Sequence, residues 1–551
     1  MIWLPFRGCQ NLLPNPLYLQ QASKFSSMFK KCITPSAMLL SCCLAFTLSV
    51  NAQSAGRQYS VGFYQNSADT TGYHSSQRDY TVQPTFELPQ GDTTRKQSWL
   101  YRKLFREHLL EVNGEDYTFY ASILPDFQIG HSSVNNSNWL NTRGVMAGGT
   151  IGKNLTFRAE FFENQGKFPG YIDAFGRKNN IVPGQGEWKN YASGKAFDFA
   201  SSSALLDYKA GKHFNFQLGY DKNFIGDGYR SMLLSDASFN YPFLKIIANV
   251  GRIQYTTMWA QFIDMKYPKS SYDNGYRKKW GVFNYLDWNI SSKVSLGLFE
   301  AVIWQDSDSS GKRGFDASYI NPIVFLRPVE FSVGSPDNAL MGINLKYAPT
   351  VNSTFYGQFI LDEFKFKEIT SGTGWWANKF GGQLGFRSNN IFKVKHLNFL
   401  TEMNAARPYT YSQRTTLNNY GHYNQSLAHP QGANFVEWLS IADYQYKRWF
   451  LRGQITYAQY GLDSAGINYG KDIFQSYNTR AEDFDNHIGQ GLKTNLLNVQ
   501  GTVAFLLNPK YNLRLECSVT ARQEKNDHWK NNELIFQVGL RSSFRQLYYD
   551  F

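Results

Sequence analysis

The chain has 551 residues, of which 42% are hydrophobic, 17% aromatic and 18% charged, and its formal charge is +13. A charged fraction below the ~25% of ordinary globular proteins argues against general disorder. A mean hydropathy of −0.43, with no apolar run of ~18 residues, excludes a helical membrane protein. What remains is rich in aromatics and Gly and poor in Pro and Cys: one large all-β object, or several smaller ones.

Residues 1–52 read as a presequence. Lys30 and Lys31 precede an apolar stretch from Ala37 to Val50, which ends in Val50-Asn51-Ala52. A basic n-region, an apolar core and a small-residue cleavage site make a secretory signal. Met28 would give a signal of ordinary length, so residues 1–27 are expected to precede the true start. Leu39-Leu40-Ser41-Cys42 has the form of a lipobox, but the apolar stretch continues past Cys42, which speaks against lipid attachment. Cleavage removes Cys9, Cys32, Cys42 and Cys43 and leaves Cys517 alone, so neither a disulfide nor a Cys-based metal site is expected. It also removes Arg7, Lys24, Lys30 and Lys31, and the formal charge falls from +13 to +9. A moderately basic exported chain suits anionic partners, either lipid phosphates or acidic glycans, and equally suits a plain soluble surface.

Residues 53–116 follow as a polar N-terminal segment. Its first part has no period. Tyr101, Leu104, Phe105, Leu109 and Val112 then keep helical spacing, with Arg102, Lys103, Arg106 and Glu107 between them. This predicts an amphipathic helix packed on one end of whatever follows, and a docking site for a periplasmic partner is the functional alternative.

From residue 117 onward the period is two. Leu513, Leu515, Cys517, Val519 and Ala521 alternate with Arg514, Glu516, Ser518, Thr520 and Arg522, and similar runs surround Phe216 and Val499. Short connections recur at 152–154, 211–212, 251–252, 291–293, 349–352, 389–390, 447–448 and 508–510, each joining two runs of strand length. Long segments lie between them: 164–200, 221–243, 305–340, 403–432 and 460–494. With a first strand near Tyr117–Phe127 and a last near Glu533–Phe544, the count is about eighteen. Short turns alternating with long loops predict an all-β fold, a transmembrane outer-membrane β-barrel of antiparallel strands over 117–551, closed by its first and last strands. Phe551 has the look of a terminal assembly signal. Glu300 falls on the apolar register of Leu296 and Leu298, which predicts a bulge or a strand end there.

The distinctive residues lie in the long segments. Asp227, Tyr229, Arg230 and Asp236 form one cluster, and Arg327, Glu330, Asp337 and Asn338 a second. Arg407, Tyr409 and Tyr411 form a third, and His422, Tyr423 and His429 a fourth. Gly and Pro within them imply fixed turns. The plain reading pairs Arg230 with Asp227 and Asp236, and Arg327 with Glu330 and Asp337, as ion pairs holding loops inside a polar lumen. The functional reading turns the same arginines toward sugar carboxylates, which a planar guanidinium meets bidentately. Tyr409, Tyr411 and Tyr423 are either interface-girdle aromatics or sugar-stacking platforms. Arg277, Lys278 and Lys279 beside Trp280 read as a rim contact to lipid phosphates or a solvated loop end.

These pieces resemble the Wzi-type capsule assembly family of outer-membrane proteins, whose gliding-motility branch includes RemB. The matching stretches are GDGYRSMLLSD, RPVEFSVGSPDNALMG, FYGQFILDEF, EMNAARPYTYS and HYNQSLAHPQGANF, in that order over residues 99–551. The resemblance implies an eighteen-stranded barrel, closed to free diffusion, that retains polysaccharide on the cell surface, or a motility role in the RemB branch. It carries no catalytic residues. Independently, His422 and His429 lack a metal-ligand spacing, and Ser426 near His429 lacks a nucleophile motif. The expectation is therefore a non-enzyme without metal or cofactor, and nucleic acid has no place outside the cell. Its expected partners are outer-membrane lipid and lipopolysaccharide, an acidic surface glycan, and a periplasmic or motility protein.

Overall fold

The computed structural model describes residues 74–77, 97–266, 275–308, 311–321, 337–363, 365–370, 372–542, 545 and 547–551. The presequence, Arg327 and Glu330 lie outside the described residues.

Eighteen antiparallel strands form one closed sheet. In chain order they are β1 Tyr117–Ser132, β2 Asn136–Ile151, β3 Leu155–Lys167, β4 Ala196–Ala210, β5 Phe214–Asp221, β6 Tyr241–Val250, β7 Ile253–Asp264, β8 Arg277–Asn289 and β9 Val294–Gln305. There follow β10 Asn338–Thr350, β11 Ser353–Glu363, β12 Lys379–Ser388, β13 Leu397–Ala406, β14 Phe435–Tyr446, β15 Trp449–Leu462, β16 Leu492–Asn508, β17 Leu513–Lys525 and β18 Lys530–Ser542. Each pairs with its neighbour in sequence, and β18 returns to β1, as the strand count predicts. Seven of the eight expected turns are short. The eighth, between β12 and β13, is longer and holds a 3-10 turn at Ile391–Lys393. Among the described residues no helix is long and apolar enough to cross a membrane.

Alternation sets which way each residue points. On β16, Leu497, Val499 and Val503 are 41%, 39% and 42% exposed, while Asn498 between them is 3% exposed. On β17, Leu515 and Val519 face out, and Arg514, Ser518 and Arg522 are buried inside. The polar face therefore lines the lumen and the apolar face looks outward, the reverse of a soluble sandwich. A ring of half-exposed aromatics, Tyr117, Phe214, Trp288, Tyr347, Tyr446 and Trp449, marks the short-turn end.

The seam between β1 and β18 is shorter than its neighbours. Only Asp126–Ser132 pair with Ile535–Arg541, whereas β1 pairs with β2 over its whole length. Below Pro125, which has no N–H to offer, β1 is covered by a short strand, Leu110–Asn113, paired with Thr118–Ala121. Three side-chain links cross the seam: Arg541 to Asp126, bidentate at 3.0 and 3.2 Å, Ser132 to Glu533, and the Leu534 N–H to Ser133 Oγ at 3.0 Å. Glu533 also accepts the backbone N–H of Gly170 and Tyr171 at 2.6 and 3.1 Å. These two residues open helix α2, Gly170–Asn179.

Four expectations need correction. The N-terminal helix, α1, is Trp99–Phe105 and stops before Leu109 and Val112, because the chain turns there into the strand covering β1. It docks on the short-turn end, where Asn508 Nδ2 and the Tyr511 hydroxyl donate to the Lys103 carbonyl. Glu300 is neither at a bulge nor at a strand end. Its register is unbroken and places Asn284 and Met341 opposite it, with Thr257 one strand further, so polar neighbours accompany it instead. Lys279 is no rim cation: it is lumenal and buried, donating to the Asn419 carbonyl and Oδ1 at 2.8 and 2.6 Å. Finally, Phe551 does not end a wall strand. The segment 547–551 re-enters the lumen, where Phe551 packs on Tyr171 and Phe175 of α2.

Candidate functional site

Among the described residues three inserted pieces occupy the lumen: the loop 222–240, the loop 407–434, and the segment 547–551. A fourth, His74–Gln77, lies alongside them. Its Ser76 carbonyl accepts the Gly226 N–H at 2.7 Å, and its side chains reach Asp227, Thr256 and Asp287 of loop and wall.

Local sequence explains the sharp turn at Gly226-Asp227-Gly228. Gly226 has φ +149, and a Cβ there would collide with Gln358. At Gly228 a Cβ would stand 2.6 Å from Glu402 Oε2. Glu402 occupies that space because it accepts the N–H groups of Tyr229 and Arg230, both at 2.9 Å, and the Tyr356 hydroxyl at 2.8 Å. The loop's backbone is thus held by a wall carboxylate.

Arg230 is fully buried. Its partners are Glu437, at 3.2 and 3.3 Å, and Asp550, at 2.9 Å. The expected pairing with Asp227 and Asp236 is overturned, because those carboxylates face other groups. Asp227 meets Arg387, Asn344 and Ser75. Burial pushes the Asp227 carboxyl up, but the Lys346 and Arg387 charges and the Ser75 and Asn344 hydrogen bonds outweigh it and leave it below the ordinary value. Asp236 accepts the Tyr548 hydroxyl at 2.6 Å. The Tyr229 ring meets Tyr548 edge-on, and Arg230 stacks over both rings. In the second cluster, Asp337 pairs with Arg313 at 2.8 and 2.9 Å and takes the Tyr319 hydroxyl, and Asn338 donates to the Asn418 carbonyl. The expected partner Arg327 lies outside the described residues.

Tyr409 and Tyr411 are 1% and 0% exposed, so they serve neither as girdle nor as sugar platform. Both sit in the left-handed region, at φ +66 and +72, a strain of about 1–2 kcal/mol each for a residue with a Cβ. Their hydroxyls fix them by donating to the Asn468 carbonyl at 3.0 Å and the Met232 carbonyl at 2.8 Å. His422 takes the Ile263 N–H and faces the Asn240 carbonyl; burial holds it down at about 3 and keeps it neutral. His429 Nε2 meets Glu437 at 2.8 Å and its Nδ1 takes the Gln431 N–H, so both nitrogens are spent and neither serves Ser426 as a base. Burial lowers His429 too, against the pull of Glu437.

Arg407 differs from these. It is half-buried at the long-loop end, and its guanidinium donates to the carbonyls of Asn378 and Asn486 at 2.8 and 3.1 Å. Beside it lies an aromatic face that sequence reasoning missed. Trp375, Trp376 and Tyr477 follow one another at centroid distances of 6.0 and 4.6 Å, all part-exposed, with Arg480 over Trp376 at 4.3 Å. Backbone bonds from Trp376, Asp485 and Asn486 lace the two loops together. The signal was the Gly374-Trp375-Trp376 triplet.

No protein-family profile and no curated protein matches this sequence. Among solved structures, the chain is similar in shape to Wzi of Escherichia coli, described as a carbohydrate-binding β-barrel involved in group 1 capsule assembly. That likeness has 13% identity, 78% of this chain and 84% of that one covered, and a TM-score of 0.45. It is also similar to OprD of Pseudomonas aeruginosa, at 8% identity with 77% and 94% covered and a TM-score of 0.41. OccAB2 of Acinetobacter baumannii stands at 8% identity, 78% and 98% covered, and 0.42. The fold itself stands on the strand pairings given above.

Proposed function

We propose that this chain is an exported, non-enzymatic outer-membrane barrel that holds surface polysaccharide at its long-loop end and does not pass solutes freely. One observation carries the reading: the lumen is occupied by buried, mutually paired groups, centred on Arg230, Glu437 and Asp550. Burying such charges is costly unless each is matched, so the matching argues for a fixed plug. The outward apolar face and the turn-end aromatic ring suit a lipid bilayer. Arg407 and the Trp375–Trp376–Tyr477 face offer a cation and stacking surfaces to a glycan outside, and lipopolysaccharide is the natural lipid neighbour. A role in surface motility through a periplasmic partner at α1 is an outcome of the same test.

A transport reading is favoured by a different observation. The wall pairings involve no residue of 547–551, so displacement of that segment would leave the described strand ladder in place. Two measurements separate these readings: planar-bilayer conductance of the purified protein, and glycan retention and surface spreading of a deletion strain. Negligible conductance with lost retention supports the proposal. A steady porin-sized conductance overturns it in favour of transport, and lost spreading with normal retention overturns it in favour of motility.

A further inference from the structure

Residues 74–77 belong to no strand of the wall, yet wall and plug both reach for them. The segment lies between the loop 222–240 and the inner faces of β7, β8 and β10. Against the loop it adds one antiparallel bridge, Gln77 to Ile225, and the Ser76 carbonyl takes the Gly226 N–H. Against the wall, the Gln77 amide and the Thr256 hydroxyl exchange hydrogen bonds at 2.7 and 2.9 Å, and Lys346 Nζ donates to Ser75 Oγ at 2.7 Å. The Ser75 and Ser76 hydroxyls donate to Asp227 and Asp287, and His74 Nδ1 stands 3.3 Å from Asp287.

Asp287 decides what this contact means. It is 1% exposed, and among the described residues both polar partners of its carboxylate, Ser76 and His74, come from the segment. Thr256 on β7, also buried, likewise has Gln77 as its side-chain partner. A buried carboxylate on a wall strand is costly unless matched, and here the match comes from a piece of chain 211 residues away. We infer that the lumen holds a groove for an extended polar peptide, formed by Thr256, Asp287, Lys346 and the edge of the loop 222–240, and that residues 74–77 fill it as a removable strap. Recognition is strand addition to the loop edge, with the wall reading serine and glutamine side chains. No wall pairing includes the segment, so the strand ladder stands without it. Its departure strands Asp287, takes one donor from Asp227 and takes the acceptor from the Gly226 N–H, which couples the strap to the plug loop. None of this depends on what the outer loops hold.

The test titrates a fluorescein-labelled synthetic peptide, with the sequence of residues 70–81, into the full purified chain in detergent and reads anisotropy. A variant carrying His74→Gly, Ser75→Gly, Ser76→Gly and Gln77→Gly leaves the groove open, and the peptide should bind it. In the parent the chain's own segment competes, and binding should be roughly tenfold weaker or less. A peptide with Ser75→Ala and Ser76→Ala should bind the variant roughly tenfold more weakly than the parent peptide, the size of one lost hydrogen bond. No binding to the variant, equal binding to parent and variant, or indifference to the serines overturns the inference. If the glycine variant does not fold, Gln77→Cys with Ile225→Cys decides, in a Cys517→Ser background. Directly bridged residues are close enough for a disulfide. Oxidation should slow hydrogen exchange in the loop 222–240 by roughly threefold or more against the reduced protein. Failure of the bond to form, or equal exchange in the two states, overturns the inference as well.

Discussion

Replacing Arg230 with Met tests whether the plug is held by its buried charges. Arg230 is 0% exposed, so solvent screens none of its interactions. The substitution keeps an apolar stem of similar length but leaves Glu437 and Asp550 buried without their shared cation. Removing one partner of a buried ion pair costs about 3–5 kcal/mol. That lowers the ratio of seated to released plug by roughly two to three and a half orders of magnitude. Hydrogen exchange read by mass spectrometry reports this opening directly, because the bonded amides of Ile225, Gly226, Tyr229, Arg230 and Ser235 exchange when the plug releases while the wall strands stay protected. Combining Arg230→Met with Glu437→Gln should recover part of the loss, since one of the stranded charges is then gone. The reasoning fails if Arg230→Met leaves protection of the loop 222–240 within roughly threefold of the parent, under ~1 kcal/mol.

Gly228→Ala should loosen the same loop by about 1–3 kcal/mol, because its Cβ would meet Glu402 at 2.6 Å; brief openings in single-channel records would register it, and a silent trace would contradict it. Acid should destabilise the plug through His422. Its folded value of about 3 lies below the ordinary 6.5, so its contribution is full above pH 6.5 and is lost as pH falls toward 3, at about 1.4 kcal/mol per unit, with His429 acting in the same sense. The temperature at which the folded gel band disappears should therefore drop over that window, and drop less in His422→Gln. Arg407→Gln should reduce glycan retention per folded barrel with heat resistance nearly unchanged; equal retention would make Arg407 scaffold only.

The barrel was legible in the sequence because alternation and turn spacing are local signals. Leu515 and Val519 outward, with Arg514 and Arg522 inward, follow from parity alone. The Gly-rich and Pro-rich clusters in the long segments implied fixed turns, but whether they turn inward or outward was left open by the sequence. The plug's pairings were not legible. Glu437 lies 207 residues from Arg230, on a strand whose pattern tells which face it uses and nothing about what it meets. Nearby Asp227 and Asp236 were the natural guess, yet the turn that seats Tyr229 and Arg230 on Glu402 sends those carboxylates elsewhere. α1 was overextended because helical spacing over two further positions is a weak signal: Leu109 lies in the turn after the helix, and Val112 in the strand Leu110–Asn113 that covers β1. The terminal Phe551 was misread for a related reason. It follows an alternating strand and so looks like a strand end, and only the lumen, where Asp550 meets Arg230, explains its destination.

The short seam sets the order in which this molecule comes together. Every other pair of neighbouring strands is joined by a connection, so each can zip as soon as its second member is made. β1 and β18 meet across more than four hundred residues, and closing a loop of that size costs more conformational entropy than any hairpin. They also have only the stretch Asp126–Ser132 along which to gain it back. Closure is therefore the step with the largest loop to close and one of the shortest ladders to offset it. The Arg541–Asp126 pair and the Glu533 contact to α2 add side-chain bonds across it. A barrel carrying Asp126→Ala should accumulate during assembly as an open, curved ribbon, and the same line is where a pulled or heated molecule gives way first.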